Sequence, residues 1–107
     1  MNAVDEYIRL AESWGASLED GDSDTANLLY DRIQDAFQYL CQTKQEKPLF
    51  DRADSVNDAA CFCIASHIKE NDHSRAVTLY ERLTRSSQPF ISMSAKHILS
   101  ELIADGN

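Results

Sequence analysis

Residues 22–42 read DSDTANLLYDRIQDAFQYLCQ, and this stretch decides the fold class. Its apolar side chains recur at steps of three and four residues, which places them on one face of an α-helix. The stripe consists of Ala26, Leu29, Tyr30, Ile33, Ala36, Phe37 and Leu40. The pattern predicts one long amphipathic helix that begins near Asp22 or Ser23 and ends before residues 42–44.

The residues before this stretch carry a similar stripe. Apolar side chains recur along residues 3–18 and predict a first helix, and Gly21 is a natural place for that helix to stop. The polar residues 19–24, EDGDSD, supply a turn and an N-cap for the second helix. Acids in a first turn also complement the positive end of the helix dipole.

Helical patterns continue to the end of the chain. Residues 48–50 are predicted to form one short helical turn that restarts the chain at its proline. Asp54 and Ser55 are predicted to cap the third long helix, whose apolar face runs to Ile68. Residues 71–72 break the chain and cap a fourth helix, and Pro89 opens the fifth.

The fifth long helix completes an all-helical pattern. No stretch of the sequence predicts a β-strand. Its stripe consists of Ile91, Ala95, Ile98, Leu99, Leu102 and Ile103, and Gly106 closes it. Short connections between helices favour antiparallel neighbours. The sequence predicts one all-α domain over residues 1–107, in which about five antiparallel helices stack as hairpins in a HEAT-like superhelix or a bundle. Such repeats tend to offer partners a slightly concave surface lined by alternate helices.

The composition excludes several classes of function. The chain has 107 residues, of which 43% are apolar, enough for a single core. Its net charge of −8 repels phosphate backbones, so no nucleic acid is expected as a partner. No apolar run approaches the roughly 20 residues that cross a bilayer. The N-terminus lacks the layout of a signal peptide, so we expect a cytoplasmic protein without a membrane partner.

The negative charge is concentrated in the first half of the chain. Residues 1–47 hold ten acids and four bases. The face of the second helix opposite its apolar stripe carries a nearly straight polar line of Asp24, Asn27, Asp31, Asp35 and Gln38. An acidic line of this kind can meet a basic protein surface. The residues expected to carry this binding are Glu19, Asp20, Asp22, Asp24, Asp31 and Asp35.

The aromatic residues divide into two predicted groups. Trp14 and Tyr30 lie on apolar stripes and are predicted to pack in the core, with their polar ends reaching its edge. Tyr7, Tyr39 and Phe62 are predicted to face outward, where aromatic side chains among polar neighbours often dominate the binding energy of an interface.

Residues 20–31 partly copy a calcium-binding loop, in which alternate oxygens and a final acid surround the ion. The sixth position is Thr25 where that loop requires glycine, and the last ligand is Asp31 instead of glutamate. Ordinary helix capping is therefore the favoured interpretation of these acids. The sequence leaves open whether residues 20–24 bind any cation.

The cysteines and histidines do not form a recognisable reactive set. On a helix, Cys61 points about 200° away from Cys63, so these two and His67 cannot converge on one metal ion. We expect neither a metal nor another cofactor, and we expect reduced, buried thiols. No local motif pairs a nucleophile with a histidine, so no catalytic residue is assigned and the chain is not expected to be an enzyme.

A resemblance to a known family adds to this interpretation. Residues 54–60, DSVNDAA, resemble the start of the inner helix of a HEAT-type repeat, where a small-residue pair permits close helix contact. Further matching positions are Gly21-Asp22, Ala26-Asn27, Tyr30-Asp31, Ser94-Ala95, Leu99 and Glu101. With these, nearly the whole chain resembles a family of small bacterial HEAT-like proteins of undefined activity.

Some members of that family look like immunity proteins of polymorphic or contact-dependent toxin systems. The resemblance implies a cytoplasmic monomer or weak homodimer that binds and blocks one cognate toxin domain. Toxin domains that cut nucleic acids are often basic, and an acidic inhibitor suits such a partner. The alternative is a helical adaptor or regulatory scaffold that binds a peptide or protein without a toxin partner.

Overall fold

The computed structural model describes residues 2–105, so that Gly106, predicted to close the last helix, lies outside the described part. Six α-helices and no strand occur in this part, which confirms the all-α prediction. They are α1 (Ala3–Glu19), α2 (Ser23–Gln42), α3 (Glu46–Asp51), α4 (Asp58–Ile68), α5 (His73–Leu83) and α6 (Pro89–Asp105). The turn predicted at residues 48–50 belongs to α3. No helix in this range is both long enough and apolar enough to span a membrane.

Polar side chains cap the helices at their N-termini. As predicted, Asp22 caps α2 and accepts a hydrogen bond from the Thr25 backbone N–H at 3.1 Å. The prediction for α4 was wrong, because residues 52–55 form turns and the cap is Asn57. The extended backbone of Asn57 lets its Oδ1 accept the Ala60 N–H at 2.9 Å.

The C-termini of α1 and α2 share one geometry. At the end of α1, Gly21 has a φ of 75°, and the Asp22 N–H donates back to the Ser17 carbonyl at 2.9 Å. The end of α2 repeats this turn with Lys44 at a φ of 58°. A positive φ costs glycine little and costs lysine more, because only lysine has a Cβ.

The helices pack as two hairpins on either side of α4. Helix α1 packs against α2 and α4, whereas α5 packs against α4 and α6. The result is a flat molecule with principal extents of 38 × 33 × 21 Å. The largest fully buried side chains come from all six helices, and include Tyr7, Ile33, Leu49, Ile64, Tyr80 and Ile91.

Small residues let α1 and α4 approach each other closely. Gly15 faces Ala59, and a Cβ built on Gly15 would overlap the Ala59 Cβ. Ala59 and Ala60 are both buried, as the small-residue pair predicts. The crossing brings Tyr7 and Trp14 of α1 against the side chains of α4.

Two arginines of α5 hold the connection between α3 and α4. Arg75 Nη2 donates to the Phe50 carbonyl at 2.6 Å, and Arg82 Nη2 donates to the Val56 carbonyl at 3.0 Å. These bonds satisfy backbone acceptors of an irregular segment. They fix the position of α3 beside α4.

Candidate functional site

All six acids of the predicted binding surface are exposed. Two of them also have a role within the fold. Glu19 accepts a hydrogen bond from Gln88 Nε2 at 2.8 Å, which links the end of α1 to the start of α6. Asp22 caps α2, and its hydrogen bonds from the Thr25 hydroxyl and N–H hold the pKa of its carboxyl below the usual value.

The other four acids have no such role. Within the described residues, the carboxylates of Asp20, Asp24, Asp31 and Asp35 form neither an ion pair nor a side-chain hydrogen bond. Ion pairs lie elsewhere, for example between Arg9 and Glu6. We use the name acidic surface for these four residues with Glu19 and Asp22. One base, Arg32, lies between Asp31 and Asp35 on the same helix.

A cavity of about 180 Å³ opens between α2, α4 and α6. Its apolar and aromatic walls come from Trp14, Tyr30, Phe62, Cys63, Tyr80 and Ile98. Three of these rings form a series, since Trp14 stacks on Phe62 at a centroid distance of 5.7 Å and Phe62 meets Tyr80 edge to face at 5.7 Å. We call this space the aromatic cavity.

The aromatic cavity has few polar groups. Gln34, Ser66 and Lys69 contribute to its lining. Ser66 already donates its hydroxyl to the Cys63 carbonyl at 2.6 Å. The Tyr80 hydroxyl is buried and has no hydrogen-bond partner, although Tyr80 also lines the cavity.

An apolar groove continues from the aromatic cavity along α6. The groove has a volume of about 460 Å³ and shares Phe62 and Ile98 with the cavity. Its outer wall includes Phe90 and Met93, whose side chains are 51% and 70% exposed. Exposed apolar side chains that line one groove are typical of a protein-binding surface.

Helix geometry places two residues of the acidic surface next to residues that line the aromatic cavity. Tyr30 and Gln34 line the cavity, and Asp31 and Asp35 directly follow them in α2. Successive residues of an α-helix are turned by about 100°. The two carboxylates therefore lie one step around α2 from the cavity wall, on its solvent side.

The structure tests the aromatic predictions individually. Trp14 is buried and Tyr39 is exposed, as predicted. Tyr7 was predicted to face outward but is fully buried, and Phe62 is half-buried. Tyr30 was predicted to lie in the core but is 50% exposed, because α2 packs mainly against α1 and leaves its other flank open beside the cavity.

Two further positions differ from the sequence prediction. Cys41 is exposed, because it directly follows the fully buried Leu40 on α2 and points away from the core. Ile103 is exposed although it belongs to the stripe of α6. With 17 residues, α6 is longer than α5, which has 11 residues.

The buried cysteines are poor nucleophiles. Burial raises the pKa of the Cys61 thiol to about 11 and that of Cys63 to about 12, so both stay protonated near neutral pH. Burial also lowers the pKa of His67 to about 4. The His67 ring stacks on Phe37 with centroids 3.7 Å apart, and its Nε2 has no hydrogen-bond partner. These groups are suited to packing.

Among residues 2–105, no group of three or more His, Cys, Asp or Glu side chains is arranged to hold a metal ion. Sequence reasoning did not group the residues that line the aromatic cavity, and it gave Tyr80 no role. Its place in a helical stripe resembles that of any core residue, so no signal in the sequence distinguishes it.

Comparisons with known proteins found no match. No protein-family model matches this chain, and neither a curated protein nor a solved structure is significantly similar to it.

Proposed function

We propose that this protein is an immunity protein that binds one cognate toxin domain of basic charge and blocks its action. In this proposal the chain performs no chemistry of its own. It acts in the cytoplasm, as a monomer or weak homodimer, and needs no metal or cofactor. The partner is a protein, and neither nucleic acid nor a membrane is involved.

The observation that carries the proposal is that two acids of the acidic surface, Asp31 and Asp35, directly follow α2 residues that line the aromatic cavity. Specific interfaces combine a desolvated apolar centre with a polar and charged rim. Here the aromatic cavity and the groove supply apolar area, and Asp31 and Asp35 directly follow the cavity-lining residues Tyr30 and Gln34. The arrangement offers a partner both hydrophobic contact and charge recognition.

The electrostatics favour a basic partner and rapid encounter. Asp20, Asp24, Asp31 and Asp35 are exposed and form no ion pair within the described part of the chain, so their field extends into solvent. Complementary charge can raise association rates by factors of about 10 to 1,000 at low salt. An inhibitor must capture its toxin before the toxin acts, so a fast encounter has direct value.

Growth rescue tests the function. The chain is co-expressed with the C-terminal domain encoded by the gene immediately upstream, and cell growth and co-purification are measured. We expect the domain to arrest growth when it is expressed alone, and the two proteins to co-purify from cells that grow. Normal growth with the domain alone, or arrest despite co-expression, would contradict the proposal.

Charge reversal tests the surface. The double variant D31K/D35K should associate with the captured domain at least about tenfold more slowly at low salt, with a flatter salt dependence. The control is E12K/E81K, which changes the net charge by the same amount at two exposed positions of α1 and α5. Circular dichroism checks that both variants keep their helical content. Equal rates for the two variants would exclude a specific role for the α2 acids.

A further inference from the structure

We propose that α2 is a docking helix, and that its outer face enters a basic groove of the partner protein with Leu28 and Tyr39 as apolar anchors. The inference rests on the proposed function for the identity of the partner as a toxin domain. It adds which helix holds that partner and what surface the partner presents. That surface is concave, with lysine or arginine side chains along its floor and an apolar pocket for each anchor.

Helix α2 contacts the body of the protein along a narrow line. Its buried residues are Ala26, Ile33 and Leu40, which recur at intervals of seven, and the helix packs mainly against α1. Residues seven apart lie on one side of an α-helix, about two turns from each other. The opposite side of α2 is therefore a convex, exposed ridge. A convex helix fits a groove of its partner better than it fits a flat surface.

Two large apolar side chains are exposed on this ridge. Leu28 is 56% exposed and Tyr39 is 53% exposed. Their spacing along the chain corresponds to about three helical turns, so they lie on nearly the same side of α2 and roughly 16 Å apart along its axis. Each follows an aspartate by one turn, Asp24 in the first case and Asp35 in the second. Anchors at such steps are typical of a helix that binds in a groove.

The charges of the ridge determine the sign of the groove. Asp24, Asp31 and Asp35 are exposed and form no ion pair within residues 2–105. Arg32 is the one base of α2, and helix geometry places it about 40° beyond Leu28, on the side away from the acids. A neutral or acidic groove would desolvate the three carboxylates without pairing them, which is costly. Lysine or arginine side chains of a basic groove can pair with them.

Charge also separates this ridge from the apolar groove along α6. That groove exposes Phe90 and Met93, but the exposed charges that follow them on α6, Lys96 and Glu101, have opposite signs. A basic partner gains apolar contact there without a net electrostatic attraction. On α2 the unpaired acids and the exposed apolar side chains share one face. The same contact with a basic partner therefore supplies both attractions.

Truncation of the anchors tests the docking helix. The probe is the C-terminal domain encoded by the upstream gene, and its affinity is measured by isothermal titration calorimetry. We expect L28S and Y39A each to bind at least about tenfold more weakly than wild type, because apolar anchors dominate the binding energy of an interface. The control I103S removes an aliphatic side chain of similar exposure from α6 and should bind as wild type. Circular dichroism checks the helical content. Equal affinities of L28S, Y39A and I103S would overturn the proposal.

A peptide titration tests the same face without that domain. The probes are a synthetic helical peptide of leucine and lysine, and the same peptide with serine in place of leucine. Backbone amide NMR at low salt follows the binding. We expect saturable shifts that are strongest along residues 24–39 of wild type and are lost in D31K/D35K, with at least about fivefold weaker binding of the serine peptide. Strongest shifts at Phe90 and Met93, no saturable shifts, or equal affinities of the two peptides would overturn the proposal.

The docking helix and the proposed function fail in different ways. If the upstream domain does not arrest growth but L28S and Y39A weaken its binding, the immunity function is wrong and the docking helix stands. If co-expression rescues growth while both variants bind as well as I103S, the function stands and the docking helix is wrong. If the domain does not bind the wild-type protein, the proposed function is wrong and the peptide titration decides on the docking helix.

Discussion

Two aromatic clusters lie on either side of α4, and only one of them is closed. The closed cluster consists of Tyr7, Phe37, Phe50 and His67, whose rings pack together with His67 stacked on Phe37. The aromatic cavity has a similar set of rings in Trp14, Phe62 and Tyr80 but leaves about 180 Å³ unfilled. The difference is that α2 and α3 cover the closed cluster, whereas the cavity lies between α2 and α6.

The comparison shows that similar sets of aromatic residues close completely in one place and leave a cavity in another. Both clusters contain buried polar atoms without partners, namely the Tyr7 hydroxyl and His67 Nε2 in the closed cluster and the Tyr80 hydroxyl at the cavity. In the closed cluster the polar atoms only cost stability. The same holds for the Tyr80 hydroxyl, which is buried beside the cavity.

The largest expected effect comes from the crossing that positions both clusters. G15A would place a Cβ against the Ala59 Cβ and force α1 away from α4. We expect a loss of about 2 kcal/mol after the gain in helix propensity, which corresponds to a fall in Tm of roughly 10 °C. Thermal denaturation followed by circular dichroism measures it.

A compensating substitution sharpens this prediction. In G15A/A59G the methyl group moves from α4 to α1, so the overlap is removed and part of the lost Tm should return. An unchanged Tm in G15A would contradict the close contact between α1 and α4 at Gly15.

The closed cluster should make stability depend on pH. Burial lowers the pKa of His67 from 6.5 to about 4, so the unfolded chain binds the proton more readily than the folded one. The contribution of neutral His67 to the free energy of unfolding is fully present above pH 6.5 and is lost as the pH falls towards 4. Because His67 is only partly buried, we expect this loss to be about 1–2 kcal/mol.

The variant H67F isolates this contribution. It keeps a ring against Phe37 and cannot be protonated, so its unfolding free energy should fall less than that of wild type between pH 7 and pH 4.5. Urea denaturation at the two pH values measures the difference. The control H97Q removes an exposed histidine and should behave as wild type. The same pH dependence in H67F and wild type would exclude His67 as the cause.

A smaller effect distinguishes the hydroxyls of the two clusters. Y7F removes a buried hydroxyl that no partner satisfies, so we expect a gain of about 0.5–1 kcal/mol in the free energy of unfolding. Urea denaturation at neutral pH measures it. A loss of stability in Y7F would show that the closed cluster satisfies this hydroxyl after all.

An effect of similar size concerns the turn between α2 and α3, the two helices that cover the closed cluster. K44G relieves a positive φ of 58° and should raise the unfolding free energy by about 0.5–1 kcal/mol. The reverse change at the equivalent turn, G21A, should lower it by a similar amount. Urea denaturation of the two variants tests the pair, and effects of the same sign would contradict this account.

The helices and their ends were largely predictable, because local signals determine them. Apolar spacing located α1, α2 and α6, and the glycine and acid of residues 21–22 marked one helix end and the next start. The start of α4 was misplaced, because Asp54, Ser55 and Asn57 are all competent caps. The backbone conformation, which sequence alone does not reveal, chose Asn57.

The candidate site was predictable only in part. The acids of α2 were expected on the face opposite the stripe and are exposed there, since helix periodicity alone determines that face. The orientations of Tyr7 and Tyr30 were wrong, because residues at the edge of a stripe become buried or exposed according to the neighbouring helix. No pattern in the sequence indicated the aromatic cavity.

By itself, the sequence determined an all-helical chain, the length of most helices and a negative charge concentrated on one helix face. These properties depend on periodicity, capping and composition, which act over a few residues. The tertiary structure decided which aromatic rings pack together and where a space remains between α2, α4 and α6. That space depends on the relative positions of helices far apart in the chain, and these positions follow from the packing of the whole core.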